Sequence, residues 1–293
     1  MVCPFDSHTL NSTLPVLIVA CLIALCSSQV ACAGPLPVPE EIAENFAVEM
    51  DKNVSDDFWK LDPNKWVVRA RKGTDTSKPS GNIKAKHNQL RKEGDTRYLS
   101  LLANKHGEAG VSALHVHEYG FTVCRWRTKG LEYGVKHAAH PAIWSYSYNM
   151  GSTPRNAPND SGKTLEIDWM EYIKWKKVPG YHARILPSDG GGSDVDRSIH
   201  AFQGQTDFNG WRIHGYEYTP DYVQLWEYVD DQWQKKGVAL KFGDETDLEA
   251  KVLDREYRSK QYFVLSNIWF YKPEYELNPV RLDIDYLHHY PMK

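Results

Sequence analysis

Along this chain apolar and polar residues alternate in short runs, and nowhere do they repeat with the period of a long helix. Residues 66–69, 98–102, 111–117, 121–127, 165–173, 222–229, 262–270 and 280–290 are rich in β-branched and aromatic side chains and predict strands. Turn signals such as Lys72-Gly73, Ser80-Gly81 and Asp189-Gly190-Gly191-Gly192 separate them. Many short strands joined by turns predict an all-β sandwich or barrel. No internal repeat interrupts the series, and the polar, proline-containing stretch 150–163 reads as a loop.

The amino-terminal end follows another pattern. Residues 14–25 are apolar, and Ala31-Cys32-Ala33 supplies the small-x-small pattern of a signal-peptidase site. That run is short for a membrane span, so residues 1–33 read as a signal peptide and the protein as secreted, periplasmic or held at the cell surface. No Lys or Arg precedes Lys52, and Cys21 and Cys32 offer lipobox-like alternatives for a lipid anchor. Residues 34–51 are rich in Pro and Glu and read as a linker, which leaves 52–293 as one large domain. Cleavage would remove Cys3, Cys21, Cys26 and Cys32 and leave Cys124 alone, so no intramolecular disulfide is expected. The formal net charge is −3 and the basic residues are scattered, which argues against a nucleic-acid partner.

One apolar run carries chemistry. Glu166-Ile167-Asp168-Trp169-Met170-Glu171 places three carboxylates in a single stretch. In a regular strand Glu166 and Asp168 share a face and Glu171 takes the other. A β-bulge at Trp169 or Met170 reverses that and gathers all three acids in one cleft, and bulges are frequent beside active sites. Two carboxyls roughly 5 Å apart suit a retaining glycoside hydrolase, and roughly 6.5–9.5 Å apart an inverting one. Crowding raises the pKa of one acid, so it can donate a proton while its ionised neighbour attacks. The opposing reading is an edge strand with its acids in water.

Further matches flank this run in a fixed order. They are Tyr119-Gly120-Phe121 with Arg125, Ala142-Ile143-Trp144, the segment 211–221, Leu265-Ser266-Asn267-Ile268-Trp269 and Leu282-Asp283-Ile284-Asp285-Tyr286-Leu287. On these residues the chain resembles glycoside hydrolase family 16, the family of laminarinases, lichenases, agarases and carrageenases, over residues 53–290. The resemblance implies a concanavalin A-like β-jelly-roll sandwich of two antiparallel sheets with an open substrate cleft. It implies Glu166 as nucleophile, Glu171 as general acid/base and Asp168 as the residue that orients Glu166, with retention of configuration. Trp144, Arg125, Trp269 and Tyr146 are then the candidates for substrate binding. Catalysis is implied to need no cofactor, and a structural Ca²⁺ occurs on the outer sheet of relatives, although no acidic cluster locates it here. The implied partner is a polysaccharide, no protein partner is implied, and a monomer is expected.

Trp126, Trp175 and Trp226 could also stack on sugar rings, with core packing the alternative for each. Lys174, Lys176 and Lys177 fit a solvated strand end better than a site for an anionic galactan. His115-x-His117 and His137-x-x-His140 have spacings zinc could use, but no further ligand accompanies them, and no metal is expected. His182 or His200 falls where the family often places a cleft histidine. No Gly-x-Ser-x-Gly elbow or phosphate-binding glycine loop is present. The expected function is a secreted, endo-acting, retaining β-glycanase acting on a β-glucan or a marine galactan. Its alternatives are a transglycosylase with the same acids and a non-catalytic carbohydrate-binding protein on the same fold.

Overall fold

The computed structural model describes residues 38–69, 84–132, 134–147, 163–174, 180–188, 199–205 and 209–293. The strands begin with β1 Trp66–Val68, β2 Asn88–Glu93, β3 Thr96–Ala103, β4 Ala109–Ala113 and β5 Gly120–Lys129. They continue with β6 Ala139–Ser147, β7 Thr164–Ile173, β8 Gly180–Ser188, β9 Ile199–Gln205 and β10 Arg212–Tyr218. The last are β11 Tyr222–Val229, β12 Gln232–Gly243, β13 Val252–Asp254, β14 Gln261–Trp269 and β15 Val280–Pro291. One sheet has seven strands in the order β1-β4-β14-β6-β7-β8-β9, and the other has eight in the order β13-β12-β11-β10-β5-β15-β3-β2. Neighbours pair antiparallel apart from the short β12 and β13 pair. The architecture is the expected jelly-roll sandwich.

Alternation across each strand sends one set of side chains inward. Ile167, Trp169, Ala183, Ile185 and Leu265 of the seven-stranded sheet share one core with Cys124, Trp126, Tyr216, Leu225 and Leu282 of the eight-stranded sheet. Aromatic pairs bridge the two layers edge-on: Trp169 meets Tyr216 at 4.7 Å and Trp126 meets Tyr181 at 5.0 Å between ring centres. The Asn267 amide adds two 2.9 Å hydrogen bonds, donated to the carbonyl oxygens of Leu101 and Val280. Gly120 is required by close approach, since a Cβ there would lie 2.3 Å from Cε1 of His289.

The outer face of the eight-stranded sheet is partly covered by the chain's own amino-terminal segment. A 3₁₀ turn at Glu40–Asn45 directs Ile42, and Phe46 after it, onto Phe121, Val123, Trp226, Tyr286 and Tyr290. The amides of Ala47 and Asp51 then donate to the carbonyl oxygens of Pro291 and His289, each at 2.8 Å. From residue 38 onward, the stretch 34–51 is therefore part of the domain rather than the linker its composition suggests. Two apolar anchors suffice to fasten a segment otherwise rich in Pro and Glu. The expected signal peptide, 1–33, lies outside the described residues.

Candidate active site

The register of β7 carries the site. Tyr146, Ser145 and Trp144 of β6 face Glu166, Ile167 and Asp168, but Ile143 and Ala142 face Met170 and Glu171, so Trp169 has no partner in β6. The same slip occurs against β8, where Arg184 faces Asp168 and His182 faces Glu171. This is the bulge the acid spacing predicts. Trp169 and Met170 both enter the core, which leaves Glu171 on the outer face with Glu166 and Asp168. Cutting a buried aromatic to Ala costs about 3–5 kcal/mol, so the extra residue is pinned by packing.

Arg184 ties the cluster together. Its Nε lies 3.0 Å from Oδ2 of Asp168 and 2.5 Å from Oε2 of Glu171, while Nε2 of His140 lies 2.8 Å from Oε1 of Glu171. Asp168 and Glu171 are buried, and Glu166 keeps part of its side chain open to the cleft. Burial and the Glu171 charge raise the Glu166 pKa to about 7, against weaker attraction from Arg184, Asp168 and Arg69. Burial and the flanking glutamates push Asp168 up as well. Burial pulls Glu171 the same way, yet His140 and Arg184 together overcome it and hold Glu171 down at about 2. The resting cluster thus holds its charge on Glu171 and its proton between Glu166 and Asp168, the two acids whose pKa values are raised.

Trp144 and Tyr146, candidates for substrate binding, lie on the outer face of β6 opposite Asp168 and Glu166. Both are half-buried, with ring centres 5.4 Å apart; Trp144 Nε1 donates to Ser266 Oγ, and the Arg69 guanidinium lies 4.8 Å over the indole. Two candidates are corrected. Trp269 points inward and is 1% exposed, because odd-numbered positions of β14 face the core and Ser266 and Ile268 take the outer side. Arg125 lies on the outer face of the opposite sheet, 2.5 Å from Asp285, and cannot reach the acids. Trp126 belongs to the core and Trp226 to the cluster under the amino-terminal segment, while Trp175 lies outside the described residues.

Lys174 is buried rather than solvated: its Nζ donates to the Ala138 carbonyl at 2.8 Å and sits 4.3 Å over the Phe270 ring, and burial lowers its pKa to about 7. Lys176 and Lys177 lie outside the described residues. His115 and His117 do not share a strand face; β4 ends before them, and they meet the Asn64 carbonyl and the Tyr216 hydroxyl respectively. His137 accepts from the Glu132 amide. Among the described residues no group of three or more His, Cys, Asp or Glu side chains is placed to hold a metal ion. Sequence reasoning missed Arg184, His140 and Arg69 as members of the site. Only the alternation of Tyr181-His182-Ala183-Arg184-Ile185 hints that Arg184 shares a face with His182.

No protein-family model matches the sequence, and no curated protein matches it. Solved structures do. LamA of Zobellia galactanivorans, in complex with laminaritriose and laminaritetraose, matches with a TM-score of 0.55 at 17% identity, over 80% of this chain and 97% of its own. A glycoside hydrolase family 16 endo-glucanase from Bacteroides ovatus matches with 0.53 at 15% identity, over 80% and 98%. An immunostimulatory antigen and pseudo β-1,3-glucanase of Mycobacterium tuberculosis matches with 0.56 at 17% identity, over 85% and 100%. The fold is that of the family 16 glycanases, a likeness that covers most of this chain and nearly all of each neighbour.

Proposed function

We propose that this protein is a secreted, endo-acting, retaining glycosidase that cleaves a β-linked polysaccharide lying along the outer face of the seven-stranded sheet. The observation that carries the reading is the bulge at Trp169, which sets Glu166, Asp168 and Glu171 side by side. Glu166 attacks the anomeric carbon while the leaving oxygen takes a proton from Glu171; water then displaces Glu166 from that carbon and gives up a proton to Glu171. Asp168 orients Glu166, and Trp144 and Tyr146 offer flat faces for sugar rings beside the acids. The proton this reaction needs is already in the cluster, held between Glu166 and Asp168, and the productive state differs from the resting one by its transfer to Glu171.

The reading is tested by incubation with laminarin, lichenan, agarose and carrageenan and assay of reducing ends. Activity on at least one glycan, lost by about a thousandfold in both Glu166→Gln and Glu171→Gln, is the expected result. Unchanged turnover in either variant would refute the assigned roles. A second reading, a glycan-binding protein without turnover, is favoured by the Arg184 and His140 contacts that keep Glu171 ionised. It predicts saturable glycan binding with no new reducing ends.

A further inference from the structure

Resting on the glycosidase reading, we propose that Arg184 is a positioning residue that makes an autoinhibitory contact: paired with both Glu171 and Asp168, it holds Glu171 as a carboxylate and withholds it from proton donation. The geometry is specific. Nε of Arg184 contacts an oxygen of each acid, at 2.5 and 3.0 Å, and Arg184 lies directly across β8 from Asp168. Glu171 is hemmed in on every side. His140 of β6 bonds its other oxygen, His182 faces it from β8, Asp168 and Glu166 flank it on β7, and the Lys174 ammonium acts on it from the strand's end. Of these groups, Arg184 is the cation that touches two acids at once, which makes it the link that orders the cluster.

For Glu171 to protonate a leaving oxygen, the proton held between Glu166 and Asp168 must join a Glu171 oxygen. No charge enters or leaves the site, but the Arg184 pairing opposes the transfer. Arg184 also lowers Glu166 and Asp168, so what counts is the relative shift: each unit by which the Glu171 pKa rises further than theirs moves the proton's distribution about tenfold toward the productive arrangement. Arg184→Met, which keeps bulk and removes the cation, should therefore raise turnover about tenfold or more near pH 5 and move the acid limb of the kcat/KM profile upward. Arg184→Lys, which keeps the charge without the guanidinium fork, should stay near wild type.

The test is a carbon-13 NMR titration of protein labelled at glutamate Cδ, with the Glu171 resonance assigned by its absence in Glu171→Gln. In wild type that resonance should keep its ionised position well below the ordinary glutamate value of 4.5, and in Arg184→Met it should titrate at or above that value. A wild-type Glu171 that titrates at 4.5 or higher, or one that Arg184→Met leaves unmoved, overturns the proposal whatever the protein does to glycans. Where Arg184→Met fails to fold, Arg184→Gln, which also removes the cation, takes its place under the same criterion. A cluster that titrates as expected but cleaves no glycan would instead sink the glycosidase reading and leave the Arg184 contact standing.

Discussion

Two acid-isoleucine-acid triplets sit on opposite outer faces of the sandwich and do different things. Glu166-Ile167-Asp168 on β7 and Asp283-Ile284-Asp285 on β15 both turn the central Ile into the core, and a register slip lies beside each. On β15 the acids are matched with partners. Asp283 takes the Ser100 hydroxyl at 2.7 Å and Arg127 Nε at 3.1 Å, and Asp285 takes Arg125 at 2.5 Å. On β7 the bulge adds a third acid, and Arg184 contacts two of the three. Each acid of the β15 triplet has an arginine of its own, Arg127 reaching the exposed Glu93 as well, whereas the three crowded acids on β7 share Arg184 and shift one another's pKa values, and shifted pKa values mark sites where protons move.

The contrast breaks most visibly at Asp283. Asp283→Asn leaves the buried Arg127 with only the exposed Glu93, and urea unfolding should show a loss of about 4 kcal/mol while glycan binding in the cleft stays intact. A loss under about 1 kcal/mol would mean the matched pair is not structural.

Glu166→Gln should act the opposite way. The folded Glu166 pKa of about 7 stands above its ordinary 4.5, so the stability from its neutral carboxyl is full below pH 4.5 and is lost as pH rises through 7. A glutamine cannot ionise, and the variant should gain on wild type from pH 4.5 to 8, by up to about 2 kcal/mol. Melting curves that run parallel across that range would remove the claim of crowding.

Smaller effects sharpen the same division. Trp144→Ala should weaken glycan affinity about tenfold by calorimetry, close to 1.4 kcal/mol, because the indole borders Asp168 on the open face. Arg125→Ala should change affinity by less than about twofold, since its partner is Asp285 on the other side of the molecule. A tenfold fall for Arg125→Ala would return that residue to the cleft.

Much of the candidate site is legible before any coordinates. Three acids interrupting an apolar run can share a face only through a bulge, and the two residues available for it are the aromatic Trp169 and Met170, both of which the core absorbs. Trp144 and Tyr146 are reached through the resemblance at Ala142-Ile143-Trp144, since no strand is predicted over β6, and the structure then sets both on the outer face of that strand. Arg125 and Trp269 mislead because a motif gives a residue's place in order but not which way its strand faces. That parity is set by contacts far away, such as Phe263 and Leu265 filling the core on the same side as Trp269. Arg184 is hidden for a related reason: its meeting with Glu171 depends on the β7 and β8 register, which the bulge itself shifts. Residues 38–46 hide differently, since a proline- and glutamate-rich composition outweighs two anchoring side chains, Ile42 and Phe46.

The final strand, β15, lies between β5 and β3 in the interior of the eight-stranded sheet, and Phe46, near the beginning of the domain, is bridged to Met292 at its end. A ribosome makes that keystone after every other strand of the sheet. Until it emerges, β5 and β3 have no common neighbour, and the patch around Phe121 lacks Tyr286 and Tyr290. Closure of this sheet therefore waits on contacts of long sequence separation, which form slowly.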